Sequence, residues 1–347
     1  MPTNERQDSA DLERLAAGII RAQGNRFIKE LLRSNGITIG ATKDEFEANL
    51  MAAIHSGHLT LADVETWLAE VEGWGNQHVY LYRISDTLRR QLTPSRIHRK
   101  VTEAGFGELW DAPTVLQFPD LPTLTSISFN DSVLRLVWQE ASPAWARAEE
   151  KDYTAEEGLD IYEYRAWRMA EHRAVTRFDA HLGLKLAGLF VPNPIQGEEH
   201  ARAVDEAKRV IGLLMDLSQL TDNQLEISLV SRNMDQRNVP GQAAAQPKVK
   251  TQRSRLTSGG AYVEFAANAS DRAYWEEDAI RGVRRSVRDQ QLGQFYGTGG
   301  VFLFQPFNGL ERELRVQLYG EDNRTRLWAQ MKENEVWTIL KELNQYA

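Results

Sequence analysis

The order of apolar residues between Arg26 and Ile54, RFIKELLRSNGITIGATKDEFEANLMAAI, constrains this chain more than any other stretch. Phe27, Ile28, Leu31 and Leu32 recur at three- and four-residue intervals, which places them on one face of a helix. Asn35-Gly36 stops that helix, because glycine accepts the left-handed backbone a helix end needs. Ile37 and Ile39 are expected to point inward from an extended loop. Thr42 can cap a second helix, with Glu45 closing a capping box and Phe46, Leu50 and Ile54 on its buried face. Leu12 to Gln23 reads as a preceding helix, with Leu12, Leu15, Ala16, Ile19 and Ile20 on one side. Thr60 and Asp63 have capping-box spacing at the start of another, whose face is Leu61, Val64, Trp67, Leu68 and Val71. Residues 1–74 are therefore predicted to form a small helical domain, with the boundary near Trp74.

Beyond Trp74 the periodicity changes. Residues 78–84 alternate with β-branched and aromatic side chains, as a strand does. Short helices are expected over 85–91 and 95–103, and a proline-rich loop over 111–123. Two alternating runs, 125–129 and 133–139, flank Asn130-Asp131 and predict a hairpin. Residues 149–160 read as an acidic loop, and strands are expected across 161–191. A long helix over 198–219 and a strand over 225–230 come next. The remainder reads as a strand at 262–265, a helix at 271–292, a loop at 293–300, strands at 301–305, 313–319 and 325–328, and a closing helix at 333–346. The fold class is α+β: a small all-helical N-terminal domain, then a larger domain (75–347) with mainly antiparallel sheet and flanking helices.

Cysteine is absent, which excludes disulfides, cysteine-ligated metals and thiol nucleophiles, and fits a cytoplasmic location. No run approaches the roughly eighteen apolar residues of a membrane helix, and the start, MPTNERQDSADLERL, has no signal-peptide core. The net charge of −8 argues against a general nucleic-acid coat protein. The charge is uneven, however. Residues 1–230 hold 24 Lys+Arg against 35 Asp+Glu, whereas residues 231–290 hold 11 against 7. Arg232, Arg237, Lys248, Lys250, Arg253 and Arg255 lie in a stretch dominated by Pro, Gly, Ala and Gln, predicted as a mobile basic loop at about 232–256. Such a loop can order on an anionic partner, or dock on acidic protein surface. Arg281, Arg284, Arg285 and Arg288 leave one face of the 271–292 helix, beside Ala273, Ile280, Val283 and Val287. That stripe suits phosphate, and it is equally satisfied by Glu276, Glu277, Asp278 and Asp289. Arg165, Arg168, Arg173 and Arg177 could share the polar face of a sheet, or simply be solvated there.

Leu31-Leu32, Gly36-Ile37, Gly40, Thr42-Lys43 and Leu50 follow an order that resembles a SAP-like domain, a small nucleic-acid-binding helix-loop-helix module. The resemblance covers about thirty of the 347 residues. It implies DNA or RNA contact through Arg26, Lys29, Arg33 and Lys43, with Lys43 and the second helix's N-terminal N–H groups toward a phosphate. Asp44, Glu45 and Glu47 stand beside Lys43 and repel phosphate, so protein contact through the same unit is the competing reading.

No catalytic signature is present. The glycine-rich GQFYGTGG precedes a strand, whereas a phosphate loop opens onto a helix. The histidines at 55, 58, 78, 98, 172, 181 and 200 include one close pair, His55 and His58, without metalloprotease spacing. There is no nucleophile elbow or Walker motif, and nothing points to a cofactor. The leading expectation is a non-enzymatic nucleic-acid-binding protein that contacts phosphate through the SAP-like unit, the basic loop and the arginine stripe. The alternatives are a protein–protein adaptor or scaffold subunit, and a metal-dependent nuclease whose scattered acids meet only in three dimensions.

Overall fold

The computed structural model describes residues 20, 24–60, 63, 67, 73–112, 119–148, 151–193, 197–237, 248–256, 262–267, 273–290, 293, 295–307 and 309–347. Helices α1 (Asn25–Ser34) and α2 (Lys43–His55) form where the spacing predicts them. Gly36 ends α1 with a φ of 67°. The Thr42 hydroxyl accepts from the Glu45 N–H at 3.2 Å, and the Glu45 carboxylate accepts from the Ala41 N–H at 2.6 Å. Phe27, Ile28, Leu31, Leu32, Phe46, Leu50 and Ile54 pack with Leu59 and Trp67 into a core separate from the rest of the chain. Ile39, expected inward, is exposed. Apart from Ile20, which joins this core, the predicted helix over 12–23 and most of 61–72 lie outside the described residues, but the Thr60–Asp63 capping box is formed.

The remaining elements are β1 (Gly75–Arg83), α3 (Asp86–Gln91), α4 (Pro94–Glu103), β2 (Thr123–Asn130), β3 (Val133–Arg147), β4 (Tyr153–Glu157), β5 (Asp160–Tyr164), β6 (Trp167–His181), β7 (Leu186–Pro192), α5 (Gly197–Leu214), α6 (Leu217–Thr221), α7 (Ile227–Arg237), β8 (Lys248–Leu256), β9 (Tyr262–Ala266), α8 (Asp278–Asp289), β10 (Phe295–Phe304), β11 (Leu314–Tyr319), β12 (Arg324–Gln330) and α9 (Glu333–Asn344). All strands but β4 and β5 join one antiparallel sheet, ordered β2-β3-β6-β7-β1-β12-β11-β10-β8-β9. The fold is α+β, as the periodicity predicts.

The sheet's helical cover changes sides at β1. Alternate residues of a strand face opposite ways. Tyr82 joins a core with β2, β3, β6, β7 and helices α3 to α6. Val79 and Leu81 point the other way, into a core with β8 to β12 and helices α7 and α9. Among the described residues, the outer half of the sheet, β12 to β9, is thus covered on one face only. Its other face carries Thr251, Arg253, Arg255, Arg315, Gln317, Tyr319, Arg324, Arg326 and Trp328, half-buried or exposed.

Several expectations are corrected. Of residues 225–230, expected as a strand, 227–230 open helix α7, because Ile227, Val230, Ser231 and Met234 are the buried set at three- and four-residue spacing. A run of six apolar-rich residues does not separate the two periods. The expected basic loop at 232–256 is helix α7 up to Arg237 and strand β8 from Lys248, and only 238–247 lie outside the described residues. Strand alternation in β8 was masked by buried polar residues: Gln252 faces α7 and donates to Ser231 Oγ at 3.1 Å. The 293–300 loop is instead mostly strand β10, which lies between β8 and β11. Its glycines serve close packing, since a Cβ on Gly297 would come 1.7 Å from Gln252 Nε2. The acidic stretch 149–160 folds from Tyr153 into the β4–β5 hairpin, turning at Gly158. Helix 271–292 is shortened to α8, preceded by a 3-10 turn at Tyr274–Glu276. Asp216 breaks the expected 198–219 helix by capping α6.

Candidate nucleic-acid interface

Strands β11 and β12 read LRVQLY and RTRLWAQ. Their alternation sends Leu314, Val316, Leu318, Thr325 and Leu327 inward and leaves arginines and aromatics on the open face. There they stack. The Arg326 guanidinium lies 3.9 Å over the Trp328 ring, and that of Arg315 lies 5.0 Å from it. Arg324 sits 5.0 Å from the Tyr319 ring. On the edge strands, Arg253 and Arg255 lie 4.7 Å and 4.5 Å from Tyr262. Trp328 and Tyr262 remain 38% and 39% exposed, so both rings keep accessible surface.

A groove of about 600 Å³ runs across this face, floored by Thr251, Val301 and Gln317 and bounded by Arg253, Arg315, Arg326 and Trp328. Glu264, Glu321 and Asp322 also line it. The turn acids are matched: Arg253 pairs with Glu321 at 3.6 Å and Arg324 with Asp322 at 3.0 Å. Among the described residues no carboxylate pairs with Arg315 or Arg326. The Nε–H groups of Arg255, Arg324 and Arg326 are buried without an acceptor among the described residues.

Where the helical cover ends, β1 and α5 add His78, Tyr80 and His200. Tyr80 Oη and His200 Nε2 are 3.0 Å apart, and the His78 ring meets those of His200 and Tyr319. Burial lowers the His78 pKa to about 4, with the positive charge of Arg324 acting in the same direction.

The predicted site residues fall in separate places. Arg253 and Arg255 stand on the open face, and Lys248 and Lys250 are half-buried on the same strand. The arginine stripe lies elsewhere: α8 packs through Ile280 on the core of α7 and α9, the covered side of the sheet. Arg284 turns inward, bonding Asp235 through both carboxylate oxygens at 3.3 and 3.1 Å and also reaching Tyr274 Oη. Val283, expected to be buried, is exposed in its place, and Arg281 pairs with Asp278. Arg285 is exposed, and the Arg288 side chain lies outside the described residues. Arg168 alternates away from Arg173 and Arg177 on β6, and Arg165 precedes that strand, so these four share no face.

In the N-terminal unit, Arg26 pairs with Glu311 at 3.2 Å and Glu335 at 3.5 Å, tying α1 to the sheet domain. Lys332 and Glu30 form a second tie. Lys29 lies 5.7 Å over Phe46. Arg33 and Lys43 are exposed, but the N-terminus of α2 already holds Asp44 and the capping Glu45 carboxylate.

Sequence reasoning missed Arg315, Arg324, Arg326, Trp328 and Tyr319. Their signal was present in the alternation of two recognised strands, whose outward residues are arginine and aromatic rather than mixed polar. No group of three or more His, Asp and Glu among the described residues is placed to hold a metal ion. No helix among them is long and apolar enough to cross a membrane. No protein-family model matches the chain, and a search of curated proteins found no match.

Proposed function

We propose that this protein binds single-stranded nucleic acid across the open face of β12, β11, β10, β8 and β9. The observation that carries this reading is the stacking of Arg315, Arg326, Arg253 and Arg255 on two accessible rings, Trp328 and Tyr262, over a groove. Unpaired bases offer their faces to aromatic rings and guanidinium planes, while guanidinium N–H groups take phosphate. A duplex buries its base faces and would use only the charge. Arg33 and Lys43 of the SAP-like unit would add phosphate contacts at most, because Arg26 is engaged in ion pairs. The reading remains non-enzymatic: binding needs only the stacked side chains.

The test is a titration of single-stranded RNA, single-stranded DNA and duplex DNA at about 50 and 200 mM salt. Tighter binding of the single strands, weakening steeply with salt, supports the proposal. Absence of binding at the lower salt overturns it.

A further inference from the structure

The β3–β6 ribbon leaves the sheet. Strand β2 pairs with β3 only as far as Gln139, and β7 pairs with β6 only from Arg177. Beyond those points the strand partner of residues 140–147 is 167–174, with Ala141 N–H donating to the Pro119 carbonyl at 2.7 Å and Arg202 paired with Glu140 at the base, and this gives a two-stranded ribbon of about 25 Å. The β4–β5 hairpin forms its tip, held by the stacked rings of Tyr153 and Tyr164, 4.6 Å apart. An isolated two-stranded hairpin is marginal in water. This one is also apolar where it is most exposed: Leu159 is fully exposed, Ile161 is 71% exposed, and Trp167 and Met169 are each 54% exposed. Exposed apolar surface concentrated at one tip marks an interaction site. The tip's charge selects the partner. Residues 153–164 contain Glu156, Glu157, Asp160 and Glu163 and no Lys or Arg.

We propose that the ribbon tip docks on the arginine–aromatic face of a second copy of this chain. The two surfaces are complementary: Glu156, Glu157 and Asp160 with Leu159, Ile161 and Tyr162 against Arg253, Arg255, Arg315, Arg326 and Trp328, Glu163 being paired with Arg165 at 3.1 Å within the ribbon. The contact is heterologous, tip to face, so a pair keeps one free tip on one copy and one free face on the other, and association continues into rings or chains. A docked tip covers the face proposed above for nucleic acid, so the two occupants exclude one another.

Sedimentation of the full chain over a concentration series, at about 50 and 300 mM salt, tests this. Mass should rise with concentration at low salt and fall back at high salt. Glu156→Lys/Glu157→Lys changes only exposed side chains and should weaken association about tenfold or more. Arg315→Glu/Arg326→Glu should do the same. A mixture of the two charge-swapped chains should associate again, because the unaltered tip of the face variant meets the unaltered face of the tip variant; placing both swaps in one chain should restore association through the lysine tip on the glutamate face alone. A monomer at every concentration and low salt overturns the proposal, as does association unchanged by either swap. Adding a single-stranded oligonucleotide separates this inference from the previous one. If it binds, assemblies should dissociate. If it does not, nucleic-acid binding fails while self-association is still judged by the swaps.

Discussion

Two tryptophans in this molecule carry stacked arginines, with opposite surroundings. Trp74 lies in the core with the Arg177 guanidinium 4.1 Å and that of Arg135 5.3 Å from its ring. Asp179, fully buried, closes that cluster by accepting two hydrogen bonds from Arg135 at 3.0 and 2.9 Å. Glu333 at the start of α9 takes a third at 2.7 Å. Trp328 has the same cation–π pairing with Arg326 and Arg315 but lies on an open face and lacks the carboxylate. The pairing alone therefore does not mark function. Asp179 and Glu333 take up the donors of Arg135 and make the Trp74 cluster a brace between β3, β6 and α9. The lack of such carboxylates leaves the Trp328 cluster with donors and ring surface for a ligand.

The comparison breaks first at Asp179. Asp179→Ala leaves the Arg135 charge without its buried partner, and removing one member of such a pair costs about 3–5 kcal/mol. Urea denaturation should show this loss. A loss below about 1 kcal/mol would mean that the internal cluster is no brace and that the distinction between the two tryptophans is unfounded.

His78 sits at the border between the two halves, and acid tests whether that border is packed. Its folded pKa, near 4, is below the ordinary 6.5. Between those values the unfolded chain takes a proton that the folded protein refuses. The stability from His78 is thus fully present above about pH 6.5 and is lost as pH falls toward 4, by about 3 kcal/mol in all. Burial lowers the His181 pKa too, adding loss in the same direction. Denaturation midpoints followed from pH 7 to 4.5 should fall, and fall less in His78→Gln. An unchanged slope in that variant would show that His78 is hydrated and that the face extends past β12 to β1.

Trp328→Ala addresses the open cluster directly. Losing one stacked base should weaken single-strand binding by about 1–3 kcal/mol, roughly five- to 150-fold, with stability changed by no more than about 0.5 kcal/mol. The matching result at the brace would be the reverse, stability lost first. If Trp328→Ala unfolds the protein and spares binding in what remains folded, the two clusters have been assigned the wrong way round.

Much of this was legible in the chain, and the gaps have physical causes. The N-terminal helices, the β2–β3 hairpin and α9 follow from spacing and capping alone. Asp131 and Ser132 even adopt positive φ, the turn that Asn130-Asp131 suggested without a glycine. The arginine stripe failed because a helical face says which residues are neighbours and not which face is buried. Arg284 reaches Asp235, distant in sequence, and that ion pair draws the arginine inward. β8 and the first half of β10, up to Gly300, were read as loops because their inward positions hold Gln252, Ser254 and glycines in place of large apolar residues. The open face was hidden for another reason. It is assembled from β12, β11, β10, β8 and β9, so no short window of sequence contains it.

The smallest effect is the sharpest discriminator between stacking and charge. Arg326 lies flat on Trp328, where it could hold the ring in place or reach a phosphate. Arg326→Gln keeps a polar planar group and removes the charge. If the guanidinium meets phosphate, the slope of log K against log salt should become shallower by about 0.7, the value for one contact on a single strand. Affinity at about 200 mM salt should then fall only a few-fold, less than for Trp328→Ala. If Arg326 only positions the ring, affinity falls while the slope stays as it was, since no counterion is released at that point. Arg135 gives the reference case of an arginine on a tryptophan whose charge is already spent on Asp179 and Glu333. A salt slope unmoved at Arg326 would place it in that same class and shift the phosphate contact to Arg315, Arg253 or Arg255.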